Sequence, residues 1–305
     1  MIDLHTHSNI SDGELTPAML IKTAAEQGLS AIALTDHDTL DGLESAKKAA
    51  LAYKDTKKIQ FIPGIEININ WSGTKDVPGL GPGGEFHLLG LGINNPSDSF
   101  KAVIKRLSNS REERNREILN KMHEMGIEAT WDELIALTGR DSANSGGSSG
   151  SHLLCRPHFA ALLIKRKVVK NQEQAFARYL GAGKPLFVAK EGLVFEEAVS
   201  LIRESGGIPV LAHPISLYVA WGRLPDLIKI LKDQGLMGLE AWHPITKAGS
   251  CRRLEALAQS MGLYVTEGSD FHGSVRPERK LGRSNKSRKI DDAVLQAIPE
   301  LSFHG

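Results

Sequence analysis

Cysteine, net charge and long apolar runs are all scarce in this sequence, and each shortage excludes a class of protein. Two cysteines, Cys155 and Cys251, occur in 305 residues, so neither a disulfide framework nor a thiolate metal site is expected. The formal net charge of +1 leaves no basic field that would attract duplex DNA. No apolar run approaches the roughly 20 residues that cross a bilayer, and no secretory leader opens the chain. We therefore expect a folded, cytoplasmic protein with neither membrane nor duplex DNA as a partner, while the oligomeric state stays open.

Strand and helix patterns alternate in the first 70 residues and again after residue 190. The first helix has clear ends, because Thr16 suits an N-cap, Pro17 the first turn and Gly28 the stop. Later strands are expected near 208–212, 237–241 and 263–267, with helices near 194–205, 224–234 and 250–261. This alternation predicts an α/β barrel with parallel strands and crossover helices.

A helical stretch interrupts the alternation. It begins near residue 97, where Ser97 and Ser99 could cap a helix, and it contains a Ser/Gly tract at 142–151. A Gly/Pro loop at 72–85 precedes it. We predict a discontinuous barrel formed by residues 1–96 and 191–288, a helical insert at 97–190 and a C-terminal tail at 289–305.

Side chains that can bind metal recur where the predicted strands end. The candidates are His5, His7, Asp12, His37, Glu66, His87, His213, Asp270 and His272. One histidine at a strand end is more often structural than a ligand, but the carboxyl ends of parallel strands meet at one edge, and core packing does not explain this recurrence. Nitrogen and carboxylate donors suit Zn²⁺, Mn²⁺ or Fe²⁺. The set is too large for one ion, so two or three divalent ions with bridging carboxylates are predicted, an arrangement that serves phosphoryl transfer.

Six short motifs resemble the PHP (polymerase and histidinol phosphatase) phosphoesterases. They are His5-Thr-His7, Ser11-Asp12-Gly13, Thr35-Asp36-His37-Asp38, Gly64-Ile-Glu66, Ala212-His213-Pro214 and Ser269-Asp270-Phe271-His272. Three further segments, Arg156-Pro-His158-Phe-Ala160, Gly183-Lys184-Pro185 and Leu281-Gly-Arg283, resemble the stand-alone branch with ribonuclease AM and nucleoside 3′,5′-bisphosphate phosphatases. The resemblance implies a distorted (β/α)₇ TIM-like barrel with a helical insert and a trinuclear metal centre.

The resemblance also implies how the ligands divide among the ions. His5, His7, Glu66 and Asp270 would hold one ion. Glu66, His87 and His213 would hold a second, so that Glu66 bridges the two. Asp12, His37 and His272 would hold a third. Asp36 and Asp38 are expected to accept the other imidazole N–H of a ligand rather than to bind metal.

Several basic side chains outside the metal motifs are candidates for binding the substrate. Arg156 and His158 precede an apolar helix and suit a phosphate clamp, although a helix cap with a surface cation is the plainer alternative. Lys184 could also bind the phosphate or could be a solvated surface lysine. His243 could contact the substrate from the rim of the predicted barrel. Arg114 lies in a charged stretch with Asn115, where a solvated face is favoured, although similar residues in the family can face the site.

Together these features predict a metal-dependent phosphoesterase that uses a hydroxide bridging two ions, with Glu66, Arg156 and His158 in catalysis. The expected substrate is a nucleoside 3′,5′-bisphosphate, a 5′-monophosphate or the 5′ end of short RNA, degraded 5′ to 3′. A sugar or histidinol phosphate phosphatase is the alternative among enzymes. A non-catalytic metal-binding interaction domain is the alternative of another class.

Overall fold

A computed structural model describes residues 1–53, 59–70, 84–137, 154–189, 191–285 and 288–301. The Ser/Gly tract at 142–151 lies outside these residues, as does the 72–85 loop up to residue 83. Contacts divide the chain into two units. The first comprises Met1–Ile104 and Gly192–Gly305, and the second comprises Lys105–Glu191. The division falls inside a long helix rather than at residue 97.

Seven short strands of the first unit form one sheet in sequence order. They are β1 (Ile2–Asp3), β2 (Ala31–Leu34), β3 (Gln60–Asn68), β4 (His87–Leu91), β5 (Ile208–Leu211), β6 (Gly238–Trp242) and β7 (Tyr264–Glu267). A parallel bridge between Thr6 and Phe271 joins the chain beyond β1 to the chain beyond β7. The sheet is therefore a nearly closed barrel, which confirms the predicted fold class.

One strand runs against the expected parallel arrangement. β4 is antiparallel to both β3 and β5, whereas the remaining neighbours are parallel. Consequently β4 begins at the edge where its neighbours end, and His87 lies opposite Asn68. This reversal brings a histidine from the start of a strand to the edge that carries the other candidate ligands.

The helices of the first unit follow the strands. They are α1 (Pro17–Glu26), α2 (Leu43–Ala52), α7 (Phe195–Glu204), α8 (Leu224–Asp233), α9 (Ala248–Ser260) and α10 (Ala293–Gln296). As predicted, the Thr16 hydroxyl accepts a hydrogen bond from the Met19 N–H, Pro17 opens α1, and Gly28 follows it with a φ of 79°. The later helices lie within two residues of the positions that the sequence indicates.

Apolar side chains fill the barrel and the layer outside it. One buried cluster includes Ile2, Leu89 and Val210. It also contains Ile290, Leu295, Ile298 and Leu301, from the segment predicted to be a tail. Residues 290–301, which follow the two-stranded ribbon β8 (Arg283–Asn285) and β9 (Arg288–Lys289), are thus packed into the first unit.

The second unit is helical. It contains most of α3 (Asp98–Glu124) and all of α4 (Trp131–Ala136), α5 (Arg156–Lys165) and α6 (Gln172–Ala175), the last continuing into a π-helical turn at Phe176–Leu180. Its own buried cluster includes Ile118, Met122, Phe159 and Leu163. In the described parts of both units, no helix is apolar over the length that a bilayer crossing requires.

Candidate metal centre

All nine predicted ligands lie at one edge of the barrel. His5 and His7 follow β1, Asp12 lies in the next loop, and His37 follows β2. Glu66 lies within β3, whose Asn68 pairs with His87. His213 follows β5, and Asp270 and His272 follow β7. Most of these side chains are buried; Asp12 and His37 are partly exposed.

Four donor atoms converge in the first group, which consists of His5, His7, Glu66 and Asp270. The Nε2 atoms of His5 and His7 lie 3.1 Å apart. Glu66 Oε2 lies 3.4 and 3.2 Å from these two nitrogens, and Asp270 Oδ1 lies 3.6 and 3.2 Å from them. This is the donor set that the resemblance assigns to one ion.

The second group uses the other oxygen of the same glutamate. Glu66 Oε1 lies 2.9 Å from His87 Nδ1 and 2.9 Å from His213 Nε2, and these two nitrogens are 3.4 Å apart. The two oxygens of Glu66 therefore face two different sets of imidazoles. This is the geometry that a bridging carboxylate requires.

The third group is more open. Asp12 Oδ1 lies 3.2 Å from His272 Nε2 and 3.7 Å from His7 Nδ1, and Asp12 Oδ2 lies 3.9 Å from His37 Nε2. The other nitrogen of His37 lies 3.0 Å from Glu66 Oε2. His37 is thus placed between this group and the bridging glutamate.

Hydrogen bonds on the outer side of three imidazoles determine which nitrogen is free to bind metal. The carboxylate of Glu240 accepts the Nδ1 proton of His5, and the carbonyl of Asp270 accepts that of His272. Ser216 donates its hydroxyl to a backbone carbonyl, so its oxygen accepts the Nδ1 proton of His213 at 2.7 Å. In the neutral form of all three rings, Nε2 therefore carries the lone pair and faces the centre.

Charge is balanced within the centre. Burial raises the pKa of the Glu66 carboxyl, but the neighbouring imidazoles, His37 foremost, outweigh burial and hold that pKa well below its usual range. For Asp12 and Asp270 the same two effects compete, and the charges again hold the pKa well below its usual range. These carboxylates are ionised at neutral pH and supply the negative charge that attracts divalent cations.

The pKa values of two imidazoles in the centre shift in opposite directions. Burial lowers the pKa of His7, but hydrogen bonds to Asp270 and Glu66 reverse this effect and raise it to about 10. Burial dominates at His37 and lowers its pKa to about 4. A cation that binds His7 displaces its proton, so ion binding releases protons.

The donor spacing fits divalent metal. A tetrahedral ion with ligands at about 2.0–2.1 Å separates its ligand atoms by roughly 3.3–3.4 Å. The separations measured to the two histidine nitrogens in the first group are 3.1–3.6 Å. Nitrogen and oxygen donors without sulfur suit Zn²⁺, Mn²⁺ or Fe²⁺.

Comparison with known proteins identifies the family of the chain. The sequence profile of the PHP domain matches residues 3–184. The chain belongs to the PHP domain family. A 5′-3′ exoribonuclease of Haemophilus influenzae is 33% identical over 270 residues, covering 88% of this chain and 89% of the relative. A 3′,5′-nucleoside bisphosphate phosphatase of Chromobacterium violaceum is 31% identical over 283 residues, covering 93% and 91%.

A solved structure shares the fold. The structure of an amidohydrolase from Chromobacterium violaceum with bound sulfate and no metal superimposes with a TM-score of 0.76 at 30% identity, covering 92% of this chain and 90% of that protein. As a PHP protein, the chain is a metal-dependent phosphoesterase, and thus a hydrolase. A non-catalytic interaction domain is therefore not supported.

Several residues around the PHP centre were not anticipated. Glu240, in the middle of β6, is buried against His5. Arg279, which is also buried, donates to Asp270 Oδ2. A glutamate inside a fully buried strand is a signal that the sequence does offer, because buried charge is costly unless it is paired. Nothing in the local sequence marks Arg279, nine residues beyond its partner.

His243 lies directly after β6, at the edge of the barrel that carries the candidate ligands. It is fully buried, its Nδ1 accepts the Ile245 N–H at 3.2 Å, and its Nε2 lies 3.0 Å from Asp270 Oδ2. Because Nδ1 accepts, Nε2 donates to Asp270. In this structure His243 therefore contacts a candidate metal ligand from a fully buried position.

The aspartates after β2 also differ from expectation. Asp36 accepts hydrogen bonds from the hydroxyls of Ser8 and Ser11, both at 2.6 Å, rather than directly from an imidazole. Asp38 accepts the N–H of Asn68 at 2.8 Å. These hydrogen bonds brace the loops that carry the candidate ligands.

The predicted phosphate-binding residues all belong to the second unit. Arg156 is the first residue of α5, and His158 Nδ1 accepts the Cys155 N–H at 3.0 Å. His158 thus caps its helix and keeps Nε2 as its donor. Lys184 is exposed in a turn after the π-helical segment.

Arg114 does not lie on a solvated face. It is 7% exposed, its neighbour Asn115 is completely buried, and the two side chains are hydrogen bonded at 3.0 Å. Asn115 also donates to the Leu154 carbonyl at 2.8 Å. The preferred interpretation from sequence was therefore wrong, because this part of α3 packs inside the second unit despite its charge.

Proposed function

We propose that this PHP phosphoesterase hydrolyses phosphate esters of small nucleotides. The substrates would be nucleoside 3′,5′-bisphosphates, 5′-monophosphates or short RNA processed from its 5′ end. The observation that carries the proposal is the double use of Glu66, whose two oxygens serve two groups of imidazoles at 2.9–3.4 Å. Adjacent ion positions of this kind suit phosphoryl transfer. The nucleotide class is supported by the exoribonuclease and bisphosphate phosphatase relatives.

The chain would hold two to three ions. His5, His7, Glu66 and Asp270 would bind one, Glu66, His87 and His213 a second, and Asp12, His37 and His272 a third. When bound, such ions act as Lewis acids that lower the pKa of water and neutralise charge on phosphoryl oxygens. The outer partners Glu240 and Arg279 and the Asp270 carbonyl keep the ligand side chains in place.

The phosphate itself would be recognised by Arg156, His158 and Lys184, with Arg114 as a further candidate. A guanidinium presents fork-shaped donors that match phosphate oxygens, and Arg156 begins a helix, where the dipole also favours an anion. Because Nδ1 of His158 accepts the Cys155 N–H, its Nε2 is the donor that would face the phosphate. Together these groups would bind the second phosphate of a bisphosphate or the 5′ phosphate of RNA.

Product analysis on a panel of substrates tests the proposal. Metal-loaded protein would be incubated with a nucleoside 3′,5′-bisphosphate, AMP, a 5′-phosphorylated oligoribonucleotide and histidinol phosphate. We expect each of the three nucleotide substrates to be hydrolysed with a higher kcat/KM than histidinol phosphate. Preference for histidinol phosphate would reject the nucleotide class and favour the sugar or histidinol phosphate alternative.

A further inference from the structure

A buried glutamate connects two of the metal-binding groups from outside. Glu240 lies in β6 and is 1% exposed. Its Oε1 is 2.9 Å from Nδ1 of His5, and its Oε2 accepts the backbone N–H of His213 at 2.7 Å. His5 belongs to the first group and His213 to the second.

Glu240 is placed as a partner of ligands and not as a ligand. It contacts His5 through Nδ1, on the side of the ring away from the Nε2 that faces His7 and Glu66. Both of its oxygens already accept hydrogen bonds. A carboxylate that accepts the outer N–H of a histidine fixes which nitrogen is available for metal.

The neighbouring strand leaves room for this contact only because residue 268 is glycine. A Cβ at Gly268 would lie 2.3 Å from the Cβ of His5 and 2.6 Å from Oε1 of Glu240. Any side chain there would push the imidazole and the carboxylate apart. The contact therefore depends on three segments: the chain just after β1, the middle of β6 and the chain just after β7.

The second contact holds a strained backbone. His213 has a φ of 27°, in a region that residues other than glycine seldom adopt. Such a conformation persists only where the surroundings impose it. The hydrogen bond from the His213 N–H to a buried carboxylate is one such restraint, and it directs the ring toward Glu66.

We propose that Glu240 is a positioning residue that orients ligands of two ions at once. It holds His5 as the Nδ1–H tautomer and holds the backbone of His213 in its left-handed conformation. The inference rests on the proposed metal centre, and it adds a tenth residue to the nine that the sequence indicates. Loss of Glu240 would weaken ion binding without removing any donor atom from the centre.

Glu240→Gln separates this role from simple space filling. Both partners of Glu240 are N–H donors, but glutamine offers one accepting oxygen and one donating amide. If the amide faces His5, Nδ1 must accept and Nε2 becomes protonated, which blocks it as a ligand. If the amide faces His213, two N–H groups oppose each other. Either orientation damages one group of ligands.

The matched control is Glu267→Gln on β7. Glu267 is equally buried, at 2% exposed, but it pairs with Ser284 and Arg288 and contacts no ligand. Zn²⁺ affinity would be measured by competition with a chelator, and histidine tautomers by ¹H–¹⁵N NMR of the Zn²⁺-loaded protein. We expect Glu240→Gln to lower affinity about 10- to 100-fold and to remove the Nδ1–H signal of His5 or shift that of the His213 amide. Glu267→Gln should retain the wild-type affinity.

Two results would overturn the inference. One is wild-type affinity with unchanged His5 and His213 signals in Glu240→Gln. The other is an equal loss in Glu267→Gln, which would indicate a general effect of removing buried charge. If Glu240→Gln does not fold, Glu240→Asp keeps the acceptors but shortens their reach, and wild-type affinity there would reject the geometric requirement. A wild-type protein that binds Zn²⁺ but hydrolyses no nucleotide would reject the proposed function and leave this inference standing.

Discussion

Replacing Glu66 by glutamine should damage the centre more than replacing any one histidine. Oε2 of Glu66 lies 3.0–3.4 Å from nitrogens of His5, His7 and His37, and Oε1 lies 2.9 Å from those of His87 and His213. Glutamine removes the negative charge and turns one of the two oxygens into an N–H₂ group that cannot bind metal. Each histidine contributes to fewer groups.

The expected magnitude follows from that double role. Mutation of an outer partner of a metal ligand typically costs 10- to 100-fold in metal affinity or activity. A direct ligand shared by two ions should cost at least this much at each ion, or about 10²- to 10⁴-fold together. At 1.36 kcal/mol per factor of ten, this corresponds to about 2.7–5.4 kcal/mol.

The assay compares Glu66→Gln with His87→Asn and with a control, Glu255→Gln. Glu255 accepts a hydrogen bond from Trp242 Nε1 at 3.0 Å and contacts no ligand of the centre. Metal content would be measured by elemental analysis and turnover with p-nitrophenyl phosphate at saturating Mn²⁺. We expect Glu66→Gln to lose both ions and activity, His87→Asn to lose less, and the control to lose neither. Near-normal turnover of Glu66→Gln at saturating metal would refute the bridging role.

Four further outcomes are expected. Wild-type protein saturated with Mn²⁺ or Zn²⁺ should contain two to three ions per chain; at most one ion with full activity would contradict the grouping of ligands. Arg156→Ala should raise KM about 10- to 150-fold, because a hydrogen bond to a charged group contributes about 1.5–3 kcal/mol, and should leave the metal content unchanged. The control Arg166→Ala, which breaks an ion pair with Glu133, should leave KM unchanged. Loss of metal from Arg156→Ala would instead show that Arg156 has a structural role. Gly268→Ala should lower the free energy of unfolding by about 1–3 kcal/mol through overpacking, as measured by thermal melting. The control Gly249→Ala in α9, where a Cβ meets no neighbour, should not be destabilised. A melting temperature of Gly268→Ala equal to that of the wild type would show that the His5 contact tolerates a methyl group. A circular single-stranded RNA should resist cleavage while its linear 5′-phosphorylated form is degraded, and comparable rates would reject recognition of a free end.

Most residues of the candidate metal centre could be identified from the sequence, because the ligand chemistry of a residue and the end of a strand are both features of a short stretch of chain. The apolar runs of β2 and β5 identify strands, and the polar residues after them face one edge in any parallel barrel. The helix ends at Thr16 and Gly28 were equally local and were confirmed. His87 lies with the other candidate ligands for a different reason. β4 runs antiparallel to its neighbours, so the start of that strand reaches the same edge.

Contacts between distant segments could not be predicted in this way. Asp36 accepts hydrogen bonds from two loop hydroxyls and Asp38 accepts one from a backbone N–H, and the sequence indicated neither contact. The charge of α3 indicated a solvated surface, yet Arg114 and Asn115 are buried, and Asn115 donates to the carbonyl of Leu154, 39 residues further along the chain. Neither outcome depends on a pattern within a window of sequence.

The sequence by itself determined which donors are available, that they follow successive strands, and that nitrogen and oxygen chemistry favours divalent metal, because these properties belong to residue types and their spacing. Only the tertiary structure decided which oxygen of Glu66 faces each group of imidazoles, and that Glu240, Arg279 and His243 contact the candidate ligands from outside the centre. The physical reason is that orientation comes largely from hydrogen bonds between distant segments, such as the one that joins Glu240 to His5, 235 residues away, and such pairs meet only when the barrel closes.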